Sequence, residues 1–228
     1  MTILIATGLL REARMMAGPG VTAIAGGGDA ARLERELEVL AGSASAILSS
    51  GLAGALHPEL NVGDVVIGEE GAGGVSSPSG LALRHRLERL VPEARAGLVL
   101  GSDTPVANAG EKAALYRSTA ALAVDMESHV AARVAARHGL PFAVLRVISD
   151  SADATLPAAA LAGMRPDGGI AIGAILASLA RDPAQIPALI RTGRDAEKAF
   201  RALGRVHDML RGFGIGRLDP GQLALDMA

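Results

Sequence analysis

Phe142-Ala143-Val144-Leu145-Arg146-Val147-Ile148-Ser149-Asp150 decides the fold. Its Phe142–Ile148 part is β-branched, apolar and nearly unbroken, the pattern of a parallel strand buried on both faces. A helix-like stretch, 127–138, precedes it and is stopped by Gly139 and Pro141. Outward from there the same alternation repeats. Strand-like runs at Thr2–Thr7, Val21–Ala25, 45–49, 62–67, 97–100 and 121–124 are interleaved with helix-like runs at 30–40, 81–91 and 110–117. Gly51-Leu52-Ala53-Gly54 reads as a break after the third strand, and 69–80 as a Gly/Ser loop. This alternation predicts an α/β chain: a three-layer α/β/α sandwich with a mixed, largely parallel central sheet. After Ser151 come two apolar helices, Ala158–Ala162 and 170–179. Residues 1–180 read as the catalytic domain and 181–228 as a more charged C-terminal helical extension of it, with Gly212, Gly214 and Gly216 loosening the end.

Composition narrows the function. Half of the 228 residues are hydrophobic, enough for a sizeable core. Acids number 24 against 22 bases with no basic run, so no electrostatic footprint for nucleic acid is present. With no cysteine there are neither disulfides nor thiolate metal sites. The five histidines lack metal-ligand spacing, and no metal is expected. No Gly-x-Ser-x-Gly elbow marks a hydrolase triad. The first residues lack the basic flank of a signal peptide, and no stretch approaches the roughly 20 apolar residues of a membrane span. The expectation is a cytoplasmic protein without a transmembrane segment. Aromatics are limited to Phe142, Phe200, Phe213 and Tyr116, so a flat ligand finds few rings to stack on.

Acids stand at the ends of the later strands: Asp125 and Glu127, flanking Met126, and Asp150. In α/β sheets ligands bind beyond the carboxyl ends of the strands, and carboxylates emerging together there are costly unless used or paired. Taken singly, Glu127 is also favoured by the helix dipole and Asp150 could cap the next segment. Glu12 follows the first strand and a Gly8 turn. Gly26-Gly27-Gly28-Asp29-Ala30-Ala31 sits between a strand and a helix, the setting of a dinucleotide turn, but residues 44–50 lack the acid such a turn requires. A cofactor turn, a ligand-lining turn and a plain tight turn all fit. Ser49, Ser50, Gly51 and Gly54 either let a ligand approach backbone amides or simply connect two elements.

Three segments, 50–66 (SGLAGALHPELNVGDVV), 124–128 (VDMES) and 144–153 (VLRVISDSAD), resemble in order and spacing the nucleoside phosphorylase/nucleosidase superfamily of purine and uridine phosphorylases and methylthioadenosine/adenosylhomocysteine nucleosidases. The likeness covers about residues 2–157. Arg181-Asp182-Pro183 and 188–200 look like the hopanoid-associated branch. The resemblance implies cleavage of the N-glycosidic bond of a purine nucleoside, with no cofactor and phosphate as a co-substrate in the phosphorylase variant. Asp150 matches the acid that protonates the leaving purine. Glu127 matches the residue that holds the ribose hydroxyls, Met126 the contact under the sugar, and Glu12 the acid that activates water. Ser50, Gly51, Asp125, Ile148 and Ser149 complete the substrate side; Gly8, Gly26, Gly27, Gly28 and Ser49 surround the nucleophile. Asp150 must hold a proton near neutral pH, through partial burial or by sharing it with the ligand only in the complex. Two departures stand out. Ser49 replaces the phosphorylase arginine, favouring water unless Arg11, Arg14 or Arg146 supplies the charge; and Pro105 and Val106 stand where an aromatic covers the purine. The branch implies a 5′-substituted adenosine carrying a triterpenoid, such as adenosylhopane, in an apolar groove formed by 158–179 and the extension. It also admits peripheral membrane contact, and the family implies a homodimer. A nucleoside-binding protein without catalysis and an NAD-linked oxidoreductase are the competing readings.

Overall fold

The computed structural model describes residues 2–70 and 77–212. Part of the expected 69–80 loop, Phe213, and the glycines expected to loosen the C-terminal end, Gly214 and Gly216, lie outside the described residues. Seven strands form one mixed sheet: β1 (Thr2–Thr7), β2 (Val21–Ala25), β3 (Ala44–Ala55), β4 (Val65–Glu70), β5 (Arg95–Gly101), β6 (Ala123–Asp125) and β7 (Phe142–Asp150). Five pairings are parallel: β1 with β2, β1 with β3, β3 with β7, β4 with β5 and β5 with β6. Two, β3–β6 and β4–β7, are antiparallel.

Helices cover both faces because successive side chains of a strand point opposite ways. On β1, Leu4 and Ala6 pack with Leu33 and Leu37 of α2 (Ala30–Ala41) and with Val130 and Val134 of α5 (Ser128–His138). Ile3 and Ile5 face the other cluster, with Met16 of α1 (Leu10–Met16), Leu83 and Leu87 of α3 (Pro78–Leu90), and Phe200, Leu203, Val206 and Leu210 of α8 (Ile186–Gly212). The C-terminal helix is therefore a wall of the main core rather than a loose appendage.

The sheet departs from an open sandwich in one respect. β3 runs six residues beyond its expected end, through Gly51-Leu52-Ala53-Gly54. Its register shifts between Ala53 and Gly54, and there it pairs on one side with β7 (Gly54 opposite Asp150) and on the other with β6 (Gly54 opposite Val124). Strands β3, β7, β4, β5 and β6 thus close on themselves around Ala53, Leu60, Val66, Val99, Val144 and Ile148. Curvature at such irregularities is the usual means of closing a sheet. The ends of β3, β6 and β7 meet at this seam.

Candidate active site

Four charged side chains converge beneath the seam. Arg146, on β7, is 0% exposed. Its Nε lies 2.6 Å from Asp125 Oδ2 and its Nη2 3.4 Å from Glu127 Oε2. Nη2 also donates to Ser49 Oγ at 2.6 Å. Asp125 ends β6 and, through Oδ1, accepts from the backbone N–H groups of Glu127 (2.9 Å) and Ser128 (2.8 Å), so it caps α5 while balancing the guanidinium. Glu12, on α1, accepts from Gly8 N and Leu9 N at 2.8 Å each through Oε2, and from Leu52 N at 2.9 Å through Oε1. Gly51 makes this approach feasible: a Cβ there would lie 2.9 Å from both the Glu12 carboxyl and Arg146 Nη1.

Three buried carboxyls around one guanidinium cannot all be ionised cheaply. Burial pushes Glu127 up to about 8, with Arg146 opposing and Asp125 and Glu12 reinforcing. Burial also raises Glu12, against the pull of the Leu9, Leu52 and Gly8 amides and Arg146. The sign for stability follows. The folded state keeps the Glu127 proton to about pH 8, while an unfolded chain releases it near 4.5. Between those values the native state binds more protons, so this group's stabilising contribution falls as pH rises. Melting temperature should therefore decline between about pH 4.5 and 8 more steeply in the wild type than in Glu127→Gln. Parallel melting curves would show that Glu127 is already ionised in the folded protein.

Asp150 leaves the end of β7 into the same cavity. Ser149 Oγ donates to its Oδ1 at 2.8 Å, and the Lys112 ammonium, on α4 (Ala109–Thr119), pairs with Oδ2. The pair is buried, Lys112 being 0% and Asp150 8% exposed. Gly54 leaves room for it, since a Cβ there would stand 3.0 Å from Asp150 Oδ2. Sequence reasoning missed Lys112. A signal existed: the chain holds only two lysines, Lys112 and Lys198, among 22 basic residues.

A cavity of roughly 370 Å³ joins these groups, within the range of small-molecule sites. Of the expected site residues, Gly8, Glu12, Gly27, Gly28, Asp125, Met126, Glu127, Ser149 and Asp150 line it. Gly26, Ser49, Ser50, Gly51 and Ile148 do not. Ser49 and Ser50 are fully buried on β3, and Ile148 packs inside the ring. Gly26 backs onto Leu33 and Glu127. Gly27 (φ 64°) has the positive φ that glycine adopts freely, and a Cβ on it would meet Pro166 O and Gly168 N at 2.3 and 2.2 Å. That turn is packed against another loop, which disfavours the dinucleotide reading. Pro105 and Val106 do line the cavity, and no aromatic side chain among the described residues does. The far end is apolar, with Leu156, Leu161, Met164, Ile170, Ile175 and Leu189. Leu161 and Met164 lie on or just beyond α6 (Ala158–Ala162), and the last three lie beside or on α7 (Ile172–Arg181) and at the start of α8.

Residues 75–181 match the family model described as the phosphorylase superfamily. Solved structures share the fold. The futalosine hydrolase of Helicobacter pylori strain 26695 is 18% identical, with 93% of this chain and 97% of that one covered and a TM-score of 0.61. The 5′-methylthioadenosine/S-adenosyl homocysteine nucleosidase of the same species gives 18%, 93%, 98% and 0.62. The S-adenosylhomocysteine nucleosidase of Streptococcus pyogenes gives 18%, 90%, 95% and 0.58. At this identity the likeness is one of fold. Among the described residues, no helix is long and apolar enough to cross a membrane.

Proposed function

We propose that the chain hydrolyses the N-glycosidic bond of a purine nucleoside, Glu12 activating water and Asp150 protonating the departing base. One observation carries this reading: both acids open into one cavity and both are anchored on β3, Glu12 at Leu52 N and Asp150 opposite Gly54. Two residues of strand separate those anchors by about 7 Å, enough for an anomeric carbon with water on one side and the base on the other. Glycosidases that invert at carbon place their carboxyls at a comparable span. Water gives its proton to Glu12 as its oxygen bonds to the anomeric carbon; the glycosidic electron pair leaves with the base, which takes a proton from Asp150. Glu127 would hold the ribose hydroxyls and Met126 pack beneath the sugar.

Water is favoured over phosphate by charge. Ser49 offers no cation, Arg146 is engaged by Asp125, Glu127 and Ser49, and Arg11 pairs on the surface with Glu197. A phosphate dianion would face three carboxyls around one guanidinium. The apolar end of the cavity supports a substrate with a hydrophobic 5′ substituent, of which adenosylhopane is the extreme case.

The test is adenine release from adenosine and 5′-alkylthioadenosines, with and without phosphate. Release should be independent of phosphate and faster for the alkylated compounds. Glu12→Gln should lower kcat by roughly 10²–10⁴-fold, the range of a lost general base. Phosphate-dependent release, or a Glu12→Gln variant at wild-type rate, would overturn the hydrolytic reading.

A further inference from the structure

Lys112 has no assigned part in this chemistry, yet it is the most constrained cation in the structure after Arg146. All three donors of its ammonium are used: on Asp150 Oδ2, on Ser151 O at 2.9 Å and on Ala154 O at 3.0 Å. Burying a lysine completely is expensive, and nothing about packing in an Ala-rich helix demands it. Its three contacts are the strand-end acid and the two carbonyls of the turn that follows. That turn is also tied to the start of α4 by Leu156 N to Ala107 O (2.9 Å) and Ala109 N to Thr155 Oγ1 (3.2 Å). Lys112 therefore fixes the position of Asp150 relative to the turn that follows it.

We infer that Lys112 is a positioning residue that also holds the proton Asp150 delivers. This rests on the functional reading above. An ionised Asp150 beside an ammonium has no proton of its own to give. As the base departs and gains negative charge, one N–H of Lys112 breaks, its proton passing to the Asp150 carboxylate and from that carboxyl to the purine nitrogen. The pair changes from carboxylate–ammonium to carboxylate–amine, net charge falling by one as the base leaves neutral; solvent restores the ammonium after product release. A lysine suits this because its amine gives up a proton within the reach of a departing purine anion, whereas a guanidinium does not. Asp153, which accepts from Ser151 Oγ at 2.5 Å, also feels Lys112, and Ser149 is a further polar neighbour of the acid.

The experiment compares wild type, Lys112→Met and Lys112→Arg on adenosine and on 4-nitrophenyl β-ribofuranoside, whose phenolate leaves without a proton, and records the pH profile of adenine release. Both variants should lose about 10²-fold or more in kcat for adenosine and change less than about tenfold on the nitrophenyl riboside. The alkaline fall in adenine release should come at lower pH in Lys112→Met than in wild type. Lys112→Arg keeps the buried positive charge and so keeps the test open should Lys112→Met fold poorly. Equal losses on both compounds, a wild-type pH profile in Lys112→Met, or full adenine release by Lys112→Arg would overturn the inference and leave the hydrolytic reading standing. A wild type that releases base from neither compound overturns that reading, and the inference falls with it.

Discussion

Asp150→Asn is expected to lose adenine release by about 10²–10⁴-fold, the range of a general acid, and to lose stability as well. The amide keeps the size of the carboxyl and can still accept from Lys112, but it removes the counter-charge of an ammonium that is 0% exposed. Breaking a buried pair from one side costs up to about 3–5 kcal/mol; the surviving hydrogen bond should hold the loss nearer to about 1–3 kcal/mol. For a chain of this size that is a fall in Tm of several degrees. The double variant Asp150→Asn/Lys112→Met should regain much of that stability and none of the activity, because the stranded charge is gone and the proton donor is still missing. Calorimetry beside a base-release assay reads both. Activity that recovers with stability would show Asp150 to be structural.

Arg146→Met carries the largest expected effect on folding. It leaves Glu12, Asp125 and Glu127 buried together without a cation, and Ser49 Oγ without its donor. The expected loss is about 3–5 kcal/mol, a drop in Tm on the order of 10 °C. Its pH dependence is the sharper signature. Without the guanidinium, burial and mutual repulsion raise the Glu12 and Glu127 carboxyls further, so their protonated forms should support the fold at low pH and fail it as pH rises. The deficit should therefore be greater at pH 8 than at pH 5, and scanning calorimetry at the two values decides. A deficit that does not change with pH would mean that Arg146 matters for packing rather than charge.

Legibility in the sequence followed the range of the interactions. The strand from Phe142 to Ile148 was readable, because a fully buried strand writes its environment into consecutive positions, and β7 continues two residues further, to Asp150. Asp125, Glu127 and Asp150 were readable because they end such runs. The length of β3 was not. Gly51 and Gly54 look like breakers locally, but they are small because the Glu12 and Asp150 carboxyls press against them from other elements. Ser50 and Ile148 match the substrate side only by the likeness of a motif; Ser50 is buried within β3 and Ile148 packs inside the closed sheet. Lys112 was missed because its rarity does not say what it pairs with: its partner lies 38 residues away, in a different element. Residues 181–228 read as charged, yet α8 places Phe200, Leu203, Val206 and Leu210 on one helical face that only the folded sheet explains.

That last arrangement bears on how the chain is made. Ile3 and Ile5 share a core cluster with Leu203, Val206 and Leu210, so β1 leaves the ribosome well before the helix α8 that completes the cover of its apolar face. Contacts this distant in sequence slow folding and prolong exposure of sticky surface. Until α8 is made, that face of β1, β3 and β7 is covered only in part, by α1 and α3, so the nascent chain should expose apolar surface, and truncation before α8 should favour aggregation over a stable fold.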